Sequence, residues 1–351
     1  MKPDSTKHRI IMSAAQNMEH VADGSIELVV TSPPYPMIAM WDGVFGKQNS
    51  RIQMALENGE AFEAFEMMHD ELDKVWKEVE RVLIPGGFAC INIGDATRKI
   101  KDNFALYSNH SRIISAFATL SMSNLPGIIW RKQTNAPNKF MGSGMLPSGA
   151  YVTLEHEWIL IFRKGGKRQF KTREEKLARK ESSFFWEERN TWFSDLWDLK
   201  GTKQRIANSE SRKRSAAFPF EVPYRLINMY SLQGDTVLDP FLGTGTTCLA
   251  AIASGRNSIG YEIDPAFLEI ISQNIKSTPV SFYNSVIENR INNHITFVRE
   301  RENDPGKGEI KHFNSHLNQP VMTRQETEMK LKFVSRVKNV DGGFIADYSA
   351  V

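Results

Sequence analysis

Apolar positions along the 351-residue chain fall into two rhythms. Short runs rich in β-branched residues, at 26–30, 88–93, 236–238 and 258–262, stop at loops dense in proline or glycine, as buried strands do. Elsewhere apolar residues recur at helical spacing. Phe62, Phe65, Leu72, Val75, Trp76, Val79, Val82 and Leu83 form one stripe, and shorter helices are predicted over 223–230, 246–253 and onward from Asp264-Pro265 through Phe267, Leu268 and Ile271. This alternation predicts an α/β fold, a mostly parallel sheet with helices on both faces. In such sheets ligands collect beyond the carboxyl ends of the strands. Nearer the end of the chain, 281–298 reads as an amphipathic helix, 303–308 as a turn, and 331–340 with Asp341-Gly-Gly343 as a hairpin.

Composition narrows the picture. With 41% hydrophobic residues the chain can bury a full core, enough for one large or two modest domains. Cys90 and Cys248 have neither disulfide nor metal-ligand spacing, so no metal is expected. The first eight residues lack the apolar core of a signal peptide, and no apolar run approaches the roughly 18 residues of a membrane span. A cytoplasmic address without a membrane partner is expected.

Net charge is only +3, yet residues 163–214 hold 16 Lys or Arg against 8 Asp or Glu, an excess of 8. Phe170, Phe184, Phe185, Trp186, Trp192, Phe193 and Trp197 are interleaved with them. A solvated helix with core aromatics is the plain alternative. In an α/β enzyme we read the segment as facing a polyanion, with Lys167, Arg168, Lys171 and Arg173 as phosphate ligands. The expected units are thus 1–162, a basic insert 163–214, 215–278, and an extension 279–351 of unknown role.

Two motifs carry chemistry, each placed after a predicted strand. Asp239-Pro-Phe-Leu-Gly-Thr-Gly-Thr-Thr247 ends a strand in a turn tight enough to need glycine, so backbone can approach a ligand. Cys248 stands where a dinucleotide fingerprint would have its third glycine, and no phosphate-loop lysine follows. Glu262, at the end of the next strand, can take both hydroxyls of a ribose. The second motif, Thr31-Ser-Pro-Pro-Tyr35, is rigid, because proline fixes φ and removes a competing amide donor. Ser32 Oγ and the Pro33 carbonyl offer two acceptors, and Tyr35 a face on which a base can stack through its ring rather than its hydroxyl.

Together the motifs resemble the amino-methylating DNA methyltransferases, in the order that places the catalytic motif before the cofactor motif. The resemblance spans residues 9 to about 275. It implies a Rossmann-like methyltransferase fold, S-adenosyl-L-methionine as cofactor, a target-recognition insert at 163–214, and a base flipped from duplex DNA. It assigns catalysis to Ser32, Pro33, Pro34 and Tyr35. It assigns cofactor binding to Thr31, Ser13, Phe218, Pro219, Asp239, Pro240, Phe241, Gly243, Thr244, Gly245 and Glu262. Ser13 stands where relatives carry an acid, and Arg214-Ser215 where they often open a motif with His-Pro. Arg131 and Lys132, in a segment that lines the target base in relatives, are further DNA ligands, and the His156-Glu157 pair reads as structural.

Carbon-5 cytosine chemistry needs a nucleophilic cysteine, in the family a Pro-Cys pair, and neither cysteine follows proline. Serine before Pro-Pro-Tyr is associated in the family with N4 of cytosine, aspartate mostly with N6 of adenine. The expectation is therefore an N4-cytosine methyltransferase. An N6-adenine enzyme and a non-catalytic DNA-binding module are the alternatives. A restriction endonuclease acting on the same site is an implied partner, the implied location is the nucleoid, and the chain is expected as monomer or homodimer.

Overall fold

The structure, a computed structural model, describes residues 5–132, 141–201 and 218–350. A ten-stranded sheet is its spine. In chain order the strands are β1 (Ser5–Met12), β2 (Ile26–Thr31), β3 (Leu83–Ile93), β4 (Met122–Lys132), β5 (His156–Lys164), β6 (Leu196–Leu199), β7 (Thr236–Asp239), β8 (Asn257–Glu262), β9 (Lys332–Val340) and β10 (Gly343–Ala350). Across the sheet they run β6-β4-β5-β3-β2-β7-β8-β1-β10-β9. The middle block from β3 to β1 is wholly parallel, β6 pairs parallel with β4, and the remaining four pairings are antiparallel.

The helices are α1 (Asp42–Gln48), α2 (Ser50–Asn58), α3 (Ala61–Val82), α4 (Asn109–Ala118), α5 (Arg173–Glu181), α6 (Trp186–Trp192), α7 (Glu221–Tyr230), α8 (Thr246–Ser254), α9 (Ala266–Ser277) and α10 (Val280–Glu302). Period-two alternation sends Val29 of β2 into one core with Trp76 of α3 and Phe117 of α4. Leu28 and Val30 point into the opposite core with Ile227 of α7 and Ala250 of α8. Each such fully buried large side chain stabilises by roughly 1.5–3 kcal/mol, so helices are held on both faces. Among the described residues no helix is long and apolar enough to cross a membrane.

Topology then creates the crevice. From β2 the chain moves to β3 on one side, and from β7 to β8 on the other, while β2 and β7 lie side by side. Strand order therefore reverses between the two strands that end in the two motifs, where open α/β sheets leave room for a ligand. The C-terminal residues complete the sheet, since the predicted hairpin, β9 with β10, pairs antiparallel with β1 and aligns Ser5 with Asp347.

The basic segment differs from its expectation. Trp197 on β6 pairs beside Trp130 of β4, and Phe185, Trp192 and Trp197 are all buried. Phe185 packs with Ile287, Val321, Met329 and Leu331, and Glu188 pairs with Arg290 at 2.6 Å. Its described aromatics that are buried belong to cores. Arg168 is bound by Asp235, at 2.6 and 3.1 Å, just before β7 begins, so it lies at the amino end of the parallel strands, opposite the crevice. Lys167, Lys171 and Arg173 flank it in sequence, and Thr172 between them caps α5. Of the four residues expected to hold phosphate, Arg168 is neutralised by an acid remote in sequence. Arg168→Ala should therefore lower stability by about 1–3 kcal/mol, the worth of charged hydrogen bonds to a buried partner. Denaturant melts should show this loss, and DNA affinity at varied salt should not change.

Candidate active site

A cleft open to solvent lies at the carboxyl ends of β2, β7 and β8. Asp239 ends β7 and is buried, where Thr31 Oγ1 and Thr247 Oγ1 each donate to its carboxylate at 2.6 Å and Phe241 N at 3.0 Å. Burial nevertheless pushes its carboxyl up to about 6. The next residues wrap the cleft floor. Gly243 and Gly245 adopt φ of 54° and 87°, which a side chain rarely adopts, and Leu242 N donates to Tyr261 O at 2.8 Å. Glu262, at the end of β8, accepts from Gly243 N and Asp264 N, both at 2.9 Å, and burial raises its carboxyl above the usual range. Each of its oxygens keeps acceptor capacity for a ligand hydroxyl.

The catalytic motif forms the facing wall. Ser32, Pro33 and Pro34 line the cleft with Trp41 and Phe218. Behind Ser32 lies a buried polar chain. Tyr35 OH donates to Glu157 Oε2 at 2.9 Å, Asn92 Nδ2 donates to Tyr35 OH at 2.8 Å and to Glu157 Oε2 at 2.7 Å, and Ser32 Oγ lies 3.1 Å from Tyr35 OH. Lys132 pairs with the other oxygen of Glu157. The single phenolic hydrogen is committed to Glu157. At the Ser32–Tyr35 contact the donor must therefore be Ser32, which leaves only lone pairs of Oγ facing the cleft.

The predicted residues thus divide. Ser13, Ser32, Pro33, Pro34, Phe218, Asp239, Pro240, Phe241, Gly243, Thr244 and Glu262 meet in the cleft. Thr31 is fully buried and acts through Asp239, while Gly245 is turned toward Ile271 and Pro219 is buried, all outside the lining. Tyr35 departs from its expected role. Its ring is 9% exposed and packs over Gly94, where a Cβ would come within 2.9 Å of it, so it offers no open face for stacking. Burial and Glu157 hold its hydroxyl well above the usual phenol range. Lys132 is bound to Glu157, while Arg131 pairs with Asp198 through Nε and stays exposed. Residues 202–217, with Arg214-Ser215, lie outside the described residues.

Sequence reasoning missed Asn92 and the hydrogen bonds that join Glu157 to Asn92 and Tyr35. Asn92 is the one polar side chain in the run 88–93, and Glu157 the acid opening an apolar strand, and both lose their hydration unless paired with each other.

Comparison with known proteins agrees with this geometry. The DNA methylase family model with N6 and N4 members matches residues 26–273. The chain belongs to this family. It is 52% identical over 337 residues to the type II methyltransferase M.MthZI of Methanothermobacter thermautotrophicus, covering 95% of this chain and 93% of that one. It is 51% identical over 282 residues to the type II methyltransferase M.MjaI of Methanocaldococcus jannaschii, covering 77% and 92%. A Thermus thermophilus protein provisionally described as a DNA modification methylase, solved with S-adenosyl-L-methionine, superposes with a TM-score of 0.58 at 32% identity, covering 76% and 94%. This methylase is therefore an S-adenosyl-L-methionine-dependent DNA amino-methyltransferase of restriction-modification type. The cleft fits that cofactor, since its glycine turn admits close backbone approach and its two costly carboxylates suit a cation and a ribose.

Because the folded pKa of Asp239 lies above the ordinary carboxylate value, its neutral form favours folding, and that contribution fades as pH rises through about 6. Asp239→Asn should accordingly melt higher than the parent, both without cofactor, at pH 7. The gap should open between about pH 4 and 6, remain flat above, and not exceed about 3 kcal/mol. Calorimetric melts across pH test this.

Proposed function

We propose that this methylase transfers a methyl group to the exocyclic N4 of cytosine in duplex DNA, on a base turned out of the helix into the cleft. The observation that carries the reading is Ser32 Oγ, whose hydrogen is engaged by Tyr35 and whose lone pairs face the crevice beside the cofactor motif. Such a group accepts from an N–H donor, which an exocyclic amine is. Serine in place of the aspartate usual for adenine supports cytosine, with N6 of adenine as the second reading.

An amino nitrogen conjugated to its ring is a poor nucleophile. Hydrogen bonds from its two hydrogens to Ser32 Oγ and the Pro33 carbonyl hold it with its lone pair toward the methyl group. When bound, S-adenosyl-L-methionine would supply the methyl group from its sulfonium sulfur, which would leave as a neutral thioether, and the positive charge gained by nitrogen would be lost as a proton to water in the open cleft. The chain from Ser32 through Tyr35 ends on the Glu157 carboxylate, which stabilises this charge at the moment it develops. Glu262 would take the ribose hydroxyls and Asp239 would face the ammonium of the cofactor. Unstacking the base costs on the order of a few kcal/mol, returned in part by the apolar wall of Trp41 and Phe218.

Ser32→Ala should lower kcat by about 10- to 1000-fold, roughly 1.4–4 kcal/mol, with cofactor affinity retained. Tyr35→Phe should fall with it, because the hydroxyl is the link to Glu157. Single-turnover assays measure both, and nucleoside analysis of the product should yield N4-methylcytosine. A fully active Ser32→Ala enzyme would contradict the role of serine, and N6-methyladenine as the only product would contradict the choice of base.

A further inference from the structure

Strands β4 and β5 hold the ion pair of Lys132 and Glu157, and Lys132 N donates to Glu155 O at 2.8 Å where the strands reach the cleft. Beyond this point β5 is preceded by a short hairpin, Met141–Gly142 paired with Ala150–Tyr151. Residues 141–154 contain no Asp, Glu, Lys or Arg. Met145 is 86% exposed, Leu146 69% and Val152 85%, and Tyr151 and Leu154 are exposed as well. A soluble protein exposes contiguous large apolar side chains on a loop where something covers them.

The tip is preformed. Ser143 N donates to Gly149 O at 2.8 Å, Ser143 Oγ donates to Leu146 O at 2.7 Å, and Gly142 and Gly144 take φ of 71° and 65°. Tyr151 stacks on Phe104, ring centroids 4.6 Å apart, which ties this hairpin to a second one, Ala96–Ile100 with Asn103–Tyr107. That second hairpin follows β3 directly, where Asn92 joins Glu157. The apolar tip is thus anchored on both sides to strands that carry the buried polar chain.

We propose that Met145, Leu146 and Pro147 form a wedge that enters the DNA duplex at the step vacated by the target base. The inference rests on the reading that the base leaves the helix before methylation. Phosphates require cations, which this hairpin lacks, whereas the interior of a base stack is the apolar part of DNA and accepts inserted Met, Leu and Pro side chains. A stretch of nine residues from the tip to Glu155 spans at most about 30 Å, sufficient to reach from the cleft into the stack.

The test uses the Met145→Ser/Leu146→Ser double variant of the full chain. Sequencing of DNA from a methylation-free host expressing the parent identifies the modified site, and oligonucleotide duplexes are built on it. Single-turnover methylation of the matched duplex should fall by about tenfold or more, and a duplex whose target base faces an abasic site should lose less than about threefold, since its base is already loosened. Sedimentation should show the same oligomeric state for parent and variant. No loss on the matched duplex, an equal loss on both substrates, or an altered oligomeric state, which would make the tip an interface between copies of the chain, would each overturn the wedge. Methylation of adenine instead of cytosine would sink the preceding reading and leave the ratio between the two substrates untouched.

Discussion

A 2.6 Å hydrogen bond between Thr31 and Asp239, buried and spanning 208 residues of sequence, holds the two halves of the site together. Thr31 is the last residue of β2 and Asp239 the last of β7, the neighbouring strands between which strand order reverses. Ser32 begins one motif immediately after Thr31, and the glycine turn follows Asp239. The distance between acceptor wall and cofactor floor is therefore set by adjacent strand ends rather than by flexible loops, which is what positioning two reactants demands.

The same strand ends explain why polar groups are buried where burial is costly. Asp239 carries a carboxyl pushed up to about 6, and Glu157 is buried with Asn92, Tyr35 and Lys132 around it. Each of the two carboxylates is met by several partners, as a low-dielectric site requires. Their arrangement is one-directional. Lysine and asparagine donate to the carboxylate, tyrosine donates to it, and serine donates to tyrosine, so the surface presented to substrate is an acceptor.

Much of this was legible in the chain. Periodicity placed β2, α3, α8 and β8 within a residue or two, since strand and helix rhythms there coincide with strong boundaries such as Pro33-Pro34 and Gly243-Thr-Gly245, whereas β3 begins at Leu83, five residues before the predicted run at 88–93. The hairpin near the end was visible in Asp341-Gly-Gly343, but its pairing with β1 was not, because strand partners are non-local. The misreadings share a cause. Arg168 looked free until Asp235 met it, and Tyr35 looked open until Gly94 and Glu157 enclosed it. Local charge and local aromaticity say what a side chain can do, and only tertiary contacts say whether it remains available.

The coupling of the two motifs is most directly measured by a double-mutant cycle with Thr31→Val and Asp239→Asn, read in S-adenosyl-L-methionine affinity and in single-turnover rate. Thr31 is not itself part of the cleft lining and its side chain bonds Asp239, so the cycle reads the effect that passes through that bond. Weakened cofactor binding in Thr31→Val, with a coupling energy on the order of 1 kcal/mol between the two substitutions, is the expected result. Additive effects, or unchanged affinity in Thr31→Val, would contradict the claim that this bond sets the geometry of the site.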